Sequence, residues 1–144
     1  MKRHKIVGSI FVVLFTVAFI SGCATTAQKA FETDASQLKL RSIQSRAFDT
    51  TDKKKMLQTV ISTMQDLNFV IDKSDLLLGS VTGTKFADQV VVTMTVTIRE
   101  RGTKQLLVRA NAQYGIKTIE DPKTYQDFFV ALEKAIFLTA QQVD

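Results

Sequence analysis

At 144 residues the chain has room for one domain and, beside it, at most a targeting segment. The net charge of +5 is concentrated at the start: without Lys2, Arg3 and Lys5, 16 of the 19 Lys and Arg remain against 14 Asp and Glu. Apart from Lys53-Lys54-Lys55 no basic stripe is left, and this argues against nucleic acid as a partner. In chain order the first element is the cationic "MKRHK" followed by "IVGSIFVVLFTVAFI". That apolar run has the length of a secretory h-region and is shorter than the roughly 20 residues of a membrane-spanning helix.

Ile20-Ser21-Gly22-Cys23 follows, and it resembles the lipobox of bacterial lipoproteins, an aliphatic residue and two small ones before a cysteine. The resemblance implies a signal peptide over 1–22, cleavage between Gly22 and Cys23, and a diacylglyceryl thioether on Cys23. Other uses of this sole cysteine fare worse. It has no partner for a disulfide, residues 24–31 offer no metal ligand, and the only imidazole, His4, lies in the segment to be removed. The plain alternative is a retained signal anchor without lipid. Two or three acyl chains, at about 0.8 kcal/mol per buried methylene, would hold the chain on a membrane essentially for good. Ala24 rather than Asp follows the cysteine. By resemblance to the enterobacterial sorting rule this implies the periplasmic side of the outer membrane, ahead of the inner membrane or the cell surface. The covalent lipid is the only prosthetic group expected.

Residues 23–39 then read as the lipidated N-terminus and a tether, rich in Ala, Thr, Ser and Gln, with Phe31 as its lone aromatic. Residues 40–144 read as a single α+β domain. "LRSIQSRAF", 40–48, is expected as a first strand, and "DTTD" supplies capping oxygens for a helix. Met56, Leu57, Val60, Ile61, Met64 and Leu67 form one apolar stripe at helical spacing over about 52–67, with Asn68 as its stop. "FVID", 69–72, is a short strand and "KSD" its turn. "LLGSVTGTKF", 77–86, is another strand, in which Gly79 and Gly83 suggest a bulge, a bend or close backbone approach. In 90–98 Val90, Val92, Met94, Val96 and Ile98 alternate with threonines, and after "ERGT" Leu106, Val108, Ala110, Ala112 and Tyr114 do the same. Two period-2 runs joined by a glycine turn predict an antiparallel hairpin with one buried and one wet face. Asp121-Pro122 opens a last helix, N-cap then first helical position, with Tyr125, Phe128, Phe129, Leu132, Ala135 and Ile136 facing inward.

The order β-α-β-β-β-β-α predicts an antiparallel sheet with two helices packed on one face. This plan, with "DLNFVIDKSDLLLGSVTGTK" after the first helix, is similar to the small helix-grip domains of periplasmic lipoproteins. It is loosely similar to the C lipoprotein family of the outer-membrane β-barrel assembly machinery, through a shared F-x-I-x-x-x-D-x-x-x-G-x-V strand pair of about 20 residues. The chain is too short to carry that family's two such domains. The resemblance implies fold more than task.

Beyond Cys23 the mature chain has no histidine, which removes Ser-His-Asp and Cys-His catalysis and most transition-metal sites. Asp72 and Asp75 could be imagined as a glycosidase pair, yet two aspartates three apart more often cap a turn. Glu120 and Asp121 read as helix-start residues, and "DTTD" lacks the length and glycine of a calcium loop. "TGTK", 82–85, has no oxyanion-hole signature, and Gly79-x-x-x-Gly83 lacks the lysine and helix of a phosphate loop. A non-catalytic binding or structural module, in an envelope protein complex, is therefore expected. Its candidate partner face is the odd side of the hairpin: Val91, Thr93, Thr95, Thr97, Arg99, Leu107, Arg109, Asn111 and Gln113. An exposed apolar pair on such a face can mark contact, although a polar face of this kind is usually only solvated. The rival is a carrier or sensor of a small apolar ligand held between helix and sheet, in a groove lined by Phe128, Phe129 and Phe137. A third use of the last helix is self-association.

Overall fold

The computed structural model describes residues 36–87 and 90–141, so Gly22, Cys23 and the whole lipobox lie outside the described residues. Leu40–Asp144 forms one compact unit. The described elements in chain order are a helix α1 over 36–43, strand β1 (Ser45–Phe48), helix α2 (Lys53–Asp66), strands β2 (Val70–Asp75), β3 (Ser80–Ala87), β4 (Val90–Arg101), β5 (Gln105–Tyr114) and β6 (Lys117–Thr118), and helix α3 (Pro122–Gln141).

The strands make one antiparallel sheet in the order β1-β5-β4-β3-β2, with β6 also paired to β5. The expected hairpin is its centre. Met94 pairs with Ala112, Val96 with Ala110 and Ile98 with Val108, and all six side chains are buried. Period-2 alternation puts every second side chain on one face, so even numbers on both strands share the core. They meet the helix stripes there: Met56, Val60 and Met64 from α2, and Tyr125, Phe128, Phe129 and Leu132 from α3, form one cluster with them. Helix α2 touches β2, β3, β4 and α3, while α3 also touches β5. Each fully buried large side chain contributes about 1.5–3 kcal/mol from apolar area alone.

The helix ends follow from local chemistry. Asp52 caps α2, its carboxylate accepting from the Lys55 N–H at 2.8 Å. At the other end Asn68 takes φ +65°, Phe69 N–H donates to the Met64 carbonyl and Asn68 N–H to that of Gln65, both at 2.9 Å. This double bond pattern satisfies carbonyls the helix would leave open, and asparagine tolerates the left-handed backbone it requires. Asp121 precedes α3 and accepts from Lys123 N–H at 3.2 Å.

Five expectations are corrected. The strand expected over 40–48 is a helix to residue 43 and a strand only from Ser45. The reason is the core: Leu40 and Ile43, three apart, lean on it together, and helical spacing achieves this where strand alternation would not. Residues 36–39, read as the end of the tether, belong to the same helix. The turn expected at "KSD" is strand, since β2 runs on to Asp75 past an irregularity between Ile71 and Lys73. The turn comes at 76–79, within and just before the strand expected from 77, and β3 starts at Ser80. Finally, Tyr114, assigned to the buried set, is exposed at the end of β5, where the two-residue strand β6 was not foreseen.

Candidate functional site

Pairing registers fix what shares the outer face of the sheet, opposite the core. Thr84, Thr93 and Gln113 form one row across it, Thr82, Thr95 and Asn111 the next, and Ser80, Thr97, Arg109 and Ser45 a third. Arg99, Leu107 and Ala47 make a fourth. Every residue of the candidate partner face except Val91 therefore falls into four consecutive rows. Val91 pairs with Phe86 one row further out. Cross-strand hydroxyl contacts stiffen the face: the Thr82 and Thr95 Oγ1 atoms lie 3.1 Å apart, Thr84 Oγ1 donates to the Asp72 carboxylate at 2.6 Å, and Arg109 Nε donates to Ser45 Oγ at 3.2 Å. Phe86 is 81% exposed, and Val91 beside it is exposed as well. The row geometry thus gives a polar plate with an apolar corner.

The groove residues part company. Phe128 and Phe129 are buried, their rings edge-to-face with centroids 5.1 Å apart. Arg46 lies 4.9 Å over the Phe129 ring and pairs with Glu133 at 2.8 Å. Phe137 is 61% exposed on the far side of α3. Phe128 lines a cavity of about 190 Å³ together with Leu67, Phe69, Val92 and Met94. A second cavity of about 250 Å³ lies between the 49–52 link, Met56 and Ile136. A wider depression of about 520 Å³ next to it is lined mainly by polar side chains, Lys54, Lys55, Gln58 and Ser62 among them.

The polar groups inside the core are few and bonded. The buried Tyr125 hydroxyl donates to the Ile119 carbonyl at 2.5 Å and accepts from Gln44 Nε2 at 3.1 Å and from Ala112 N–H at 3.3 Å. Every buried side-chain polar atom among the described residues has a partner.

The candidate carboxylates are engaged locally. Asp72 holds Thr84, and Asp75 accepts from the Leu78 N–H at 2.9 Å. Among the described residues no group of three His, Cys, Asp or Glu converges as a metal site would require. Lys123 has its pKa raised, first by its hydrogen bond to Asp127 and then by that carboxylate's charge. This pair is an i,i+4 contact on the solvent side of α3.

One feature went unread in the sequence. Leu76, Leu77 and Leu78 fill the turn between β2 and β3 and are 45%, 91% and 69% exposed. The turn is held firmly: Asp75 accepts from Leu78, Lys53 Nζ donates to the Leu77 carbonyl at 2.9 Å, and Ile98 N–H donates to the Gly79 carbonyl at 2.7 Å. Gly79 has φ +65° and no room for a side chain. The signal that could have found it is Asp75 with Gly79 four residues on, a turn-forming pair on either side of the leucines.

Compared with known protein families and with curated proteins, the chain has no significant match to either. Among the described residues no helix is long and apolar enough to cross a membrane.

Proposed function

We propose that this chain is a lipid-anchored, non-catalytic binding module of the bacterial envelope. Cys23 carries the lipid and holds the chain on the periplasmic side of the outer membrane. The domain docks to an envelope protein through the outer face of its sheet. The address rests on the match of Ile20-Ser21-Gly22-Cys23 to a lipobox, after a cationic start and an apolar run of the right length.

The docking role rests on one observation: Phe86 and Val91 stand paired and exposed at the corner of the ordered hydroxyl and amide plate. Exposed apolar pairs rimmed by polar groups are what contact surfaces offer. A carrier of an apolar ligand would need an enclosed cavity of roughly 300 Å³ or more. Among the described residues, the cavities with mainly apolar walls measure about 190 and 250 Å³ and the 520 Å³ depression is lined mainly by polar side chains, which supports docking over carriage.

Two measurements test this. Cells fed a radioactive fatty acid should label the protein and should fail to label Cys23→Ser. A photocrosslinking amino acid at Val91 or Leu107 should capture one envelope protein, and the same probe at Gln126, on the exposed side of α3, should not. Equal capture from both positions, or capture from none, would refute docking through the sheet.

A further inference from the structure

From the leucine turn and its surroundings we infer that the end of the domain bearing Leu76–Leu78 seats on an anionic phospholipid bilayer. Three consecutive exposed leucines cost a soluble fold solubility, and idealised surfaces avoid them unless they serve contact. Here the turn is pinned from three sides, so it presents its side chains outward in a fixed shape.

What surrounds the turn selects the occupant. Lys53, Lys54 and Lys55 form the first turn of α2, and Lys53 reaches the leucine turn directly. Ile98 bonds Gly79, so Arg99, Arg101 and Lys104 continue β4 and its turn at this same end. Cations outnumber anions there. Asp52 caps α2, Asp75 accepts from Leu78, and Asp49 accepts from Gln105 Nε2 at 2.6 Å, so these three carboxylates are tied to local donors, and with Glu100 they stand against Lys53, Lys54, Lys55, Arg99, Arg101 and Lys104. Ile136 reaches the same end through its cavity with Asp49 and Met56, and exposed Phe137 and Leu138 follow it. Apolar tips inside a cationic collar match a surface that is anionic at the headgroups and apolar beneath. The one-signed surplus of lysine and arginine in the rim, rather than the apolar centre, is what favours an anionic bilayer over a protein here. Residues 24–35 span at most about 40 Å when extended, which lets an anchored domain bring this end to the membrane.

The inference uses the anchored reading only to put the domain near a bilayer, and the test supplies the bilayer itself. The full chain carries an environment-sensitive fluorescent amino acid at position 77 and is reconstituted in vesicles of phosphatidylcholine with phosphatidylglycerol. The emission should shift to the blue and be quenched by nitroxides on the acyl chains, while the same probe at position 86 stays unquenched. Lys54→Glu with Lys55→Glu should lower the ratio of buried to free tips about tenfold or more, because each lysine near an anionic surface contributes about fivefold. Neutral vesicles should give a weaker signal, and salt should weaken it further. A probe that stays in water on vesicle-bound protein would overturn the inference. So would a shift that grows with protein concentration in the absence of lipid, which would assign the turn to a second copy. The intact mass of the same protein purified from cells reports the acyl group. A missing acyl group with a buried tip would refute the anchor alone, and an acylated protein with a wet tip would refute this inference alone.

Discussion

Gly79→Ala offers the sharpest test of how the leucine turn is built. The residue has φ +65°, where an L side chain costs about 1–2 kcal/mol. A Cβ there would also lie 2.6 Å from the Ile98 carbonyl oxygen and 2.5 Å from Lys53 Cε. The lysine can swing aside at small cost, though it then gives up its bond to the Leu77 carbonyl. The backbone oxygen cannot. Clearing it moves the turn and stretches the 2.7 Å bond from Ile98 N–H to the Gly79 carbonyl, a loss of about 1 kcal/mol. The sum is about 2–3 kcal/mol. Gly102→Ala is the built-in control, because Gly102 has φ +63° and nothing within 4 Å of its would-be Cβ. It carries the conformational cost without the contact, and the gain from a stiffer unfolded chain cancels between the two variants. Urea unfolding followed by circular dichroism should therefore place the Gly79→Ala midpoint below that of Gly102→Ala by about 0.5–1 M, since the remaining difference of about 1 kcal/mol is read at a slope of about 1–2 kcal/mol per M. Coincident midpoints would refute the claim that close packing, rather than φ alone, requires glycine at 79.

Three further outcomes follow from the packing and the charges. Tyr125→Phe should cost about 1–3 kcal/mol in the same unfolding assay, because it strips partners from the Ile119 carbonyl and from Gln44 in a closed core. Phe128→Ala should cost about 3–5 kcal/mol, whereas Phe137→Ala should change stability by no more than about 0.5 kcal/mol; equal effects would contradict the division of the aromatic residues of α3 into core and surface. Asp127, by hydrogen bond first and charge second, holds Lys123 above its ordinary 10.5, so whatever the pair contributes is complete below that pH and is lost only as pH rises through the higher folded value. The difference in melting temperature between the natural protein and Lys123→Gln should thus stay constant from about pH 6 to pH 9, and a drift within that window would sink the assignment.

What could be read from the sequence was what repeats. Five even positions in each of two runs leave one solution for the central hairpin, and the observed pairs Met94–Ala112, Val96–Ala110 and Ile98–Val108 follow it residue for residue. Caps were equally legible, since Asp52, Asn68 and Asp121 act through bonds to their own neighbours. The misreadings have a common cause. A run of apolar side chains signals burial only when a partner surface is there to receive it, so Leu77 and Leu78 read as strand although they stand in a turn with nothing over them. Short pieces failed for the same reason. Two-residue β6 exists because β5 outruns β1 and leaves an edge to fill, a fact of tertiary geometry that Lys117 and Thr118 do not encode. On the candidate face, alternation placed Thr93 through Gln113 on one side, but Phe86 joins them only through the pairing of β3 with β4.

The two proposed contacts divide the domain along its strands. Strand β4 has twelve residues, about 40 Å of extended chain, with the leucine turn near its end and the Phe86–Val91 corner near its beginning. A domain seated on lipid through Leu76–Leu78 stands its strands away from the membrane. Its threonine rows then look sideways, and the aromatic corner sits far beyond the headgroups. Membrane and protein partner would meet different surfaces with no shared side chain, and sites this far apart act independently. Leu77→Asp should accordingly abolish lipid burial of the turn and leave capture from position 91 unchanged. Val91→Asp should do the reverse. If either change disturbed both readouts, the two ends would belong to one interface, and the domain would have to lie flat on its partner instead of standing between partner and bilayer.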